Sequence, residues 1–226
     1  MGQQGAYQLR QAIEQCNNVN SLDIQLSKNW IKAEGVSHLG KGLSKCIQII
    51  NLNLDLDSNN IGANGVQKLF DGIKHCSKLQ NLSLALECNY IGSNGLKYLG
   101  SGLSLCQNIS ILSINLQYNN IGNKGASNLI QGLSQLINLS QLKLSLGSTW
   151  IFTDVNSEFG LAFKQFKNLS KLVLNLDSNK IENQEICNLA EGLAQCQDLQ
   201  NVILDLRQDL FKINQILKQF QKVETI

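Results

Sequence analysis

Asn51-Leu52-Asn53-Leu54-Asp55-Leu56-Asp57-Ser58-Asn59-Asn60-Ile61-Gly62-Ala63-Asn64-Gly65-Val66 is the stretch from which the fold can be read. Its opening alternates apolar and polar residues, the mark of a strand with one buried face. From Gly65 the spacing changes, and Val66, Leu69, Phe70, Ile73 and Cys76 fall on one side of a helix. The same unit recurs every thirty residues. Leu22, Leu52, Leu82, Leu112, Leu142, Leu172 and Val202 form one series, and the positions two and four residues further on are equally apolar. Asn29, Asn59, Asn89, Asn119, Thr149, Asn179 and Asp209 form the next series, followed by Ile31, Ile61, Ile91, Ile121, Ile151, Ile181 and Phe211.

Each unit is therefore a strand, a turn and a helix, joined to the next by the same crossover, so the strands run parallel. Strands sit about 4.8 Å apart and packed helices about 8–10 Å apart. Stacking the two together bends the pile, with strands inside the arc and helices outside. The fold class predicted is α/β, a right-handed solenoid shaped as a horseshoe.

The segment Asn59-Asn60-Ile61-Gly62-Ala63-Asn64-Gly65-Val66, with Leu69 and Ile73 after it, resembles the leucine-rich repeat of the ribonuclease-inhibitor-like subtype. Similar units occur in the sensor domains of intracellular immune receptors and in Ran GTPase-activating protein. The resemblance covers essentially the whole chain. The thirty-residue unit is longer than is usual for this subtype, and a third strand leucine, as in Leu82, Leu84 and Leu86, predicts a strand lengthened by two residues. The resemblance also implies that the asparagine series (Asn29, Asn59, Asn89, Asn119 and Asn179) is structural, each side chain binding backbone groups of adjacent units.

One domain over 1–226 is predicted: a helical half-repeat at 1–20, repeats over 21–206, and a degenerate capping unit at 207–226. In that last unit Gln215 replaces the turn glycine, and Phe220 and Val223 replace leucines in a Gln/Lys-rich helix. Two inner units are irregular. Val155 and Glu185 stand at the glycine position, and Phe159, Phe163 and Phe166 fill the fifth helix.

Composition narrows the function. The 226 residues are 43% hydrophobic, enough for a core, and carry 19 basic against 17 acidic side chains, a formal charge of +2. That balance argues against a nucleic-acid binder driven by a basic field. Charged residues are only 16%, against about 25% in ordinary domains, and proline is absent. No run of 18 apolar residues suggests a membrane span, and the start lacks a signal region, so a cytoplasmic protein without membrane insertion is expected.

Catalytic and metal chemistry find little support. Cys16, Cys46, Cys76, Cys106 and Cys196 share one place in the repeat, where Leu136 and Phe166 also stand, and so read as small buried hydrophobes. No Cys-x-x-Cys pair suggests zinc, and free thiols suit a reducing compartment. Cys88 lies near the inner surface, where it could be reactive. Asn81, Asn108, Asn138 and Asn168 head glycosylation sequons that would go unused there. Gly35-Val36-Ser37-His38-Leu39-Gly40-Lys41-Gly42 approaches a phosphate-binding loop but lacks its final Ser or Thr. His38 and His75 read as solvated. No cofactor, no metal site and no enzymatic activity are predicted.

Function is expected on the concave face. One inner row is Gln25, Asp55, Ala85, Asn115, Ser145, Asn175 and Asp205, and the next is Ser27, Asp57, Glu87, Gln117, Gly147, Asp177 and Arg207: five carboxylates and one cation. Along the adjoining turn run Trp30, Asn60, Tyr90, Asn120, Trp150, Lys180 and Leu210. Aromatics beside a mildly acidic trough suit protein recognition. The candidate partner-binding residues are Trp30, Asp55, Asp57, Glu87, Tyr90, Asn115, Gln117, Trp150, Asp177 and Asp205. The leading expectation is a non-catalytic protein–protein interaction module. One alternative is a structural subunit of a cytoskeletal or ciliary assembly. The other, by resemblance, is a GTPase-activating regulator, for which Arg10 and Arg207 are the only arginines. The sequence leaves the partner and the oligomeric state open.

Overall fold

Alternating Leu-x-Leu segments become strands because their leucines can all be buried on one side. The computed structural model describes residues 2–151, 159–181, 183–207 and 223–225. Within it, helix α1 (Gly2–Glu14) is followed by β1 (Ser21–Gln25), α2 (Lys32–Leu43), β2 (Asn51–Asp55), α3 (Gly62–Ile73), β3 (Asn81–Ala85), α4 (Gly92–Leu103), β4 (Ile111–Asn115), α5 (Gly122–Leu133) and β5 (Gln141–Ser145). After these come a short 3-10 turn (Leu161–Gln165), β6 (Lys171–Asn175), α6 (Asn183–Ala194), β7 (Asn201–Asp205) and β8 (Val223–Thr225). The strands form one parallel sheet in chain order, β1 to β8. The register keeps the thirty-residue step: Leu52 lies opposite Leu22 on one side and Leu82 on the other.

The strands proper hold five residues and two of the three leucines. The third carries sheet bonding onward, since Leu56 N–H donates to the Ala85 carbonyl at 2.9 Å and Ser58 N–H to the Glu87 carbonyl at 2.8 Å. The predicted lengthening thus appears as interlayer bonding that runs on into the turn.

The last strand breaks the register. Val202 pairs with Val223, a step of 21 residues (223 minus 202) instead of thirty. Val223 was expected in a helix, but its backbone closes the open edge of β7, whose hydrogen-bonding groups need partners. Leu210, Phe211, Gln215 and Phe220 lie outside the described residues.

The core is a stack of leucine layers. Leu54, Leu56, Leu69 and Ile73 from one unit are fully buried, as are Leu84, Leu86, Leu99 and Leu103 from the next. Each such side chain contributes about 1.5–3 kcal/mol relative to exposure. The recurrent glycine in the first turn of α2 to α5 is set by close approach. A Cβ on Gly65 would stand 2.4 Å from Ile61 Cγ2, the side chain that closes the turn before it.

The helices are packed in pairs. A Cβ on Gly72 would meet the Gly40 carbonyl oxygen at 1.8 Å, and one on Gly132 would meet Gly100 backbone atoms at 2.4 Å. Between these two contacts the ring of Phe70 takes the space, packed against Gly102. Glycine-to-glycine contact therefore alternates with a filled contact, giving the outer wall a sixty-residue period.

The fifth layer departs most. In place of a helix over Phe159, Phe163 and Phe166, the described residues contain a five-residue 3-10 turn. The three phenylalanines are buried, with the first two rings edge-on at 5.7 Å. Their bulk fills volume that leucines of a longer helix occupy elsewhere. Val155 lies outside the described residues. Glu185, standing where glycine was expected in the sixth unit, is buried, and its Oε1 accepts the Gly160 N–H at 2.7 Å, tying the sixth layer to the irregular fifth.

The asparagine series is a ladder through the stack. Asn59 Oδ1 accepts the N–H groups of Asn29 and Ile31 at 3.0 and 3.2 Å. Its Nδ2 donates to the carbonyls of Leu26, Leu56 and Asp57. Asn89 and Asn119 repeat the arrangement one and two layers on. Thr149 interrupts it. The Ile121 N–H turns to the backbone carbonyls of Asn119 and Thr149, and the Thr149 hydroxyl makes only a bond within its own layer to the Leu146 carbonyl at 2.6 Å and a contact to Asn179 Oδ1 at 3.3 Å. Thr149→Asn is therefore expected to stabilise the protein by about 1 kcal/mol, the net worth of a restored buried hydrogen bond. Denaturant melts of the two proteins check this; an unchanged midpoint contradicts it.

Candidate inner-face binding site

The residues between the strand leucines point to the concave side; Asp55, Asp57, Glu87, Asn115, Gln117 and Asp177 are half-buried there, while Gln25, Ser27 and Arg207 at the two ends are exposed. Their carboxylates are held in place by backbone and amide groups of their own and neighbouring layers. Asp55 Oδ1 accepts the Asp57 N–H at 3.1 Å, and Asp57 Oδ1 accepts the Glu87 N–H at 2.6 Å. Glu87 Oε2 accepts from Asn115 Nδ2 at 3.1 Å, and Asn115 Oδ1 accepts the Gln117 N–H at 3.2 Å. The second group is built alike, with Asp177 N–H on Asn175 Oδ1 at 2.9 Å and Asn175 Nδ2 on Asp205 Oδ2 at 3.1 Å.

The two groups differ in charge. Arg207 binds Asp205 through both Nε and a terminal nitrogen, at 2.9 and 2.7 Å, and that bonding holds the carboxyl below its usual range. Among the described residues, no lysine or arginine pairs with Asp55, Asp57 or Glu87. Burial, together with repulsion from Asp55 and Glu87, pushes Asp57 upward. An uncompensated negative patch therefore lies across β2 and β3.

A third inner row escaped the sequence reading: Asp23, Asn53, Ser83, Ser113, Lys143, Val173 and Ile203. It begins one strand residue earlier on the same face, a position that the two-residue period already marks. Lys143 places a cation on β5, so the face is acidic toward β2–β3 and mixed further along. Lys171, at the start of β6, is exposed and adds to this contrast.

Trp30, Tyr90 and Trp150 project outward from the turn after the strands and are 69%, 74% and 59% exposed. Tyr118, 59% exposed and standing in the turn of the fourth layer, adds an aromatic that the sequence reading missed. Trp30, Tyr90 and Trp150 hold a left-handed backbone, with φ of 55°, 55° and 66°. That conformation is uncommon for bulky residues, whereas Asn60 holds it at 57° with one of the few non-glycine residue types that tolerate it.

The remaining candidates take structural places. The thiols of Cys46, Cys76 and Cys196 donate to carbonyls of the preceding layer, at Ile13, Leu43 and Phe163. Burial pushes Cys76 up to about 12 and Cys106 and Cys196 up to about 11. Cys88 was read as potentially reactive, but burial and the carboxylates of Glu87 and Asp57 raise its pKa as well. Cys187 is exposed. A maleimide probe on the folded protein is expected to label Cys187 well before Cys46, Cys76, Cys88, Cys106 or Cys196; peptide mapping that finds Cys88 labelled first contradicts this.

His38 is not solvated as expected. It is half-buried against Tyr7, ring edge to ring face at 5.3 Å. His75 is exposed. The sequon residues Asn108, Asn138 and Asn168 donate to the carbonyls of Ser77, Gln107 and Ile137, forming a second amide ladder before the strands. Arg10 pairs with Glu14 at 2.6 Å, so both arginines of the chain are engaged by carboxylates.

The parallel sheet, the outer helices and the asparagine ladder together define a leucine-rich-repeat solenoid. A family model described as Leucine Rich repeat matches residues 50–70 and 107–129, and the repeating strand–helix units with their parallel sheet fit a leucine-rich-repeat protein. No curated protein sequence matches it. Among solved structures it is similar to a tropomodulin C-terminal domain from Caenorhabditis elegans, at 8% identity over 84% of this chain and 92% of that one, with a TM-score of 0.47. It is likewise similar to a structure titled Leiomodin-1 Actin-Binding Site 2, at 11% identity over 82% and 87%, with a TM-score of 0.46. Among the described residues no helix is long and apolar enough to cross a membrane.

Proposed function

We propose that the chain is a protein-binding module with no chemical step of its own, one domain over 1–226, whose inner face grips a partner carrying basic groups. The observation behind this reading is the patch of Asp55, Asp57 and Glu87, unpaired with any cation among the described residues and flanked by exposed Trp30 and Tyr90. Asn115, Gln117, Asp177, Asp205 and Trp150 extend the contact surface along the stack. Charge complementarity of this kind contributes to specificity and association rate and weakens with salt.

Stability does not explain the patch. Asp57 has a raised pKa in the folded state, so the folded protein binds a proton more readily there than the unfolded chain does. That contribution makes the protein less stable as pH climbs through the carboxylate range. Asp57→Asn, which keeps an oxygen for the Glu87 N–H, is expected to raise the melting temperature at neutral pH while weakening partner binding.

The direct test uses Asp55→Lys, Asp57→Lys and Glu87→Lys together. Wild type and variant serve as bait in native extract, at low and high salt, with circular dichroism confirming that both are folded. Partners retained by wild type at low salt and lost with the variant support the reading. Equal retention overturns it.

A further inference from the structure

The turn edge alternates in chemistry from layer to layer: Trp30, Asn60, Tyr90, Asn120, Trp150. Aromatic residues stand in every second layer, with an amide between. Interlayer bonds bracket this turn on both sides. Before it, Lys28 N–H reaches the Asp57 carbonyl at 2.9 Å and Ser58 N–H reaches Glu87 at 2.8 Å. After it, Lys32 N–H reaches the Asn59 carbonyl at 3.0 Å and Gly62 N–H reaches Asn89 at 2.9 Å. The turns therefore keep sheet spacing, and aromatics two layers apart are separated by about 9.6 Å, twice the strand spacing of about 4.8 Å.

That distance selects among ligand conformations. A β-strand repeats a face about every 6.8 Å, two residues on. An α-helix returns a residue to one face after seven residues, about 10.5 Å. A polyproline II segment returns one after three residues, about 9.3 Å. Its backbone makes no internal hydrogen bonds, so its carbonyls need donors. The side-chain amides of Asn60 and Asn120 stand between the aromatic steps as such donors, whereas a helix has no mid-chain carbonyl to offer them.

Trp30 and Tyr90 make no side-chain hydrogen bond or ring contact among the described residues. Three bulky residues hold left-handed backbone while staying mostly exposed, a conformation that Asn60 adopts at lower cost. Proline rings packing on aromatic faces would bury them. Asp57 and Glu87 stand beside this edge, and Glu87 precedes Tyr90 by three residues in the same turn.

We propose that the turn edge binds a basic proline-rich segment in the polyproline II conformation. Prolines at i, i+3 and i+6 stack on Trp30, Tyr90 and Trp150, and a Lys or Arg reaches Asp57 and Glu87. The segment lies outside these 226 residues, which contain no proline. This inference rests on the reading of the acidic face as a protein-binding surface.

The probes are two synthetic peptides of equal charge: one with three Pro-x-x repeats flanked by arginines, and one with those prolines replaced to give a helix with apolar residues every seven. Each is titrated against the full chain by calorimetry and tryptophan fluorescence. The proline peptide is expected to bind and to shift the fluorescence. The double variant Trp30→Asn with Tyr90→Asn is expected to weaken it roughly tenfold or more, with an undiminished melting temperature because asparagine suits that backbone. Asp57→Asn should weaken it less and flatten its salt dependence. Absence of binding by the proline peptide overturns the proposal, as does binding unchanged in the aromatic variant. Binding of the helical peptide alone, lost with Asp57→Asn, also overturns it but leaves the acidic-face reading standing. Native partners that survive the triple charge reversal remove that reading instead.

Discussion

Replacing Asn89 by alanine is expected to cost about 3 kcal/mol or more of folding stability. The side chain is fully buried. Its oxygen accepts the N–H groups of Asn59 at 2.9 Å and Ile61 at 3.3 Å, and its amide donates to the Leu56 and Glu87 carbonyls at 2.8 and 3.0 Å. Alanine leaves the Asn59 and Ile61 N–H groups without an acceptor in a dry interior, while the Leu56 and Glu87 carbonyls keep the Asn59 amide and the Ser58 N–H. Each orphaned group costs about 1–3 kcal/mol, reduced where the turn relaxes toward water. The loss is greatest in the middle of the stack, because every layer is held only by its neighbours. Urea unfolding followed by circular dichroism measures it. A midpoint equal to wild type would show that the ladder is not a source of stability.

Gly72→Ala is expected to have a comparable effect by a different route. The added Cβ would lie 1.8 Å from the Gly40 carbonyl oxygen and 2.6 Å from Gly40 Cα. These are backbone atoms of the adjacent helix, so no side-chain rotation relieves the clash. Helices α2 and α3 must separate, opening the leucine layers beneath them. Overpacking of this kind costs about 1–3 kcal/mol, with the upper end expected where backbone meets backbone. Gly62→Ala is the control. It sits at φ +63° with no atom near a new Cβ, so only the left-handed conformation is penalised, by about 1–2 kcal/mol. Thermal melts of the two variants should rank Gly72→Ala as the less stable. The reverse order would mean that the helix pairing is loose enough to absorb a methyl group.

Much of this architecture is legible in the linear chain. The parallel sheet and outer helices follow from leucines recurring at Leu52, Leu82 and Leu112 without an insertion. The two concave rows follow from alternation. The burial of Cys46, Cys76 and Cys106 follows from sharing a slot with Leu136. The failures fall where a residue's position depends on its neighbours in space. His38 was read from its own helix alone, and its half-burial comes from Tyr7 across the layer gap. Val223 was read by helical analogy, while the open edge of β7 draws it into a strand. The fifth layer was given a helix because its units align, but three phenylalanine rings fill that layer around a 3-10 turn.

The candidate site divides in the same way. That Asp55, Asp57 and Glu87 share the inner wall is a consequence of period two, available from the order of residues alone. That they stand without a counter-ion among the described residues while Asp205 is neutralised by Arg207 is a matter of which side chains reach each other, and only the folded chain decides it. Likewise, Trp30, Tyr90 and Trp150 can be read as sixty residues apart in the string. Their spacing along one continuous edge arises because interlayer hydrogen bonds carry sheet geometry through the turn. Repetition is a local property, repeated seven times, and so it is written in the chain. Pairing, exposure and pitch are properties of contacts between layers, and those exist only once the layers are stacked.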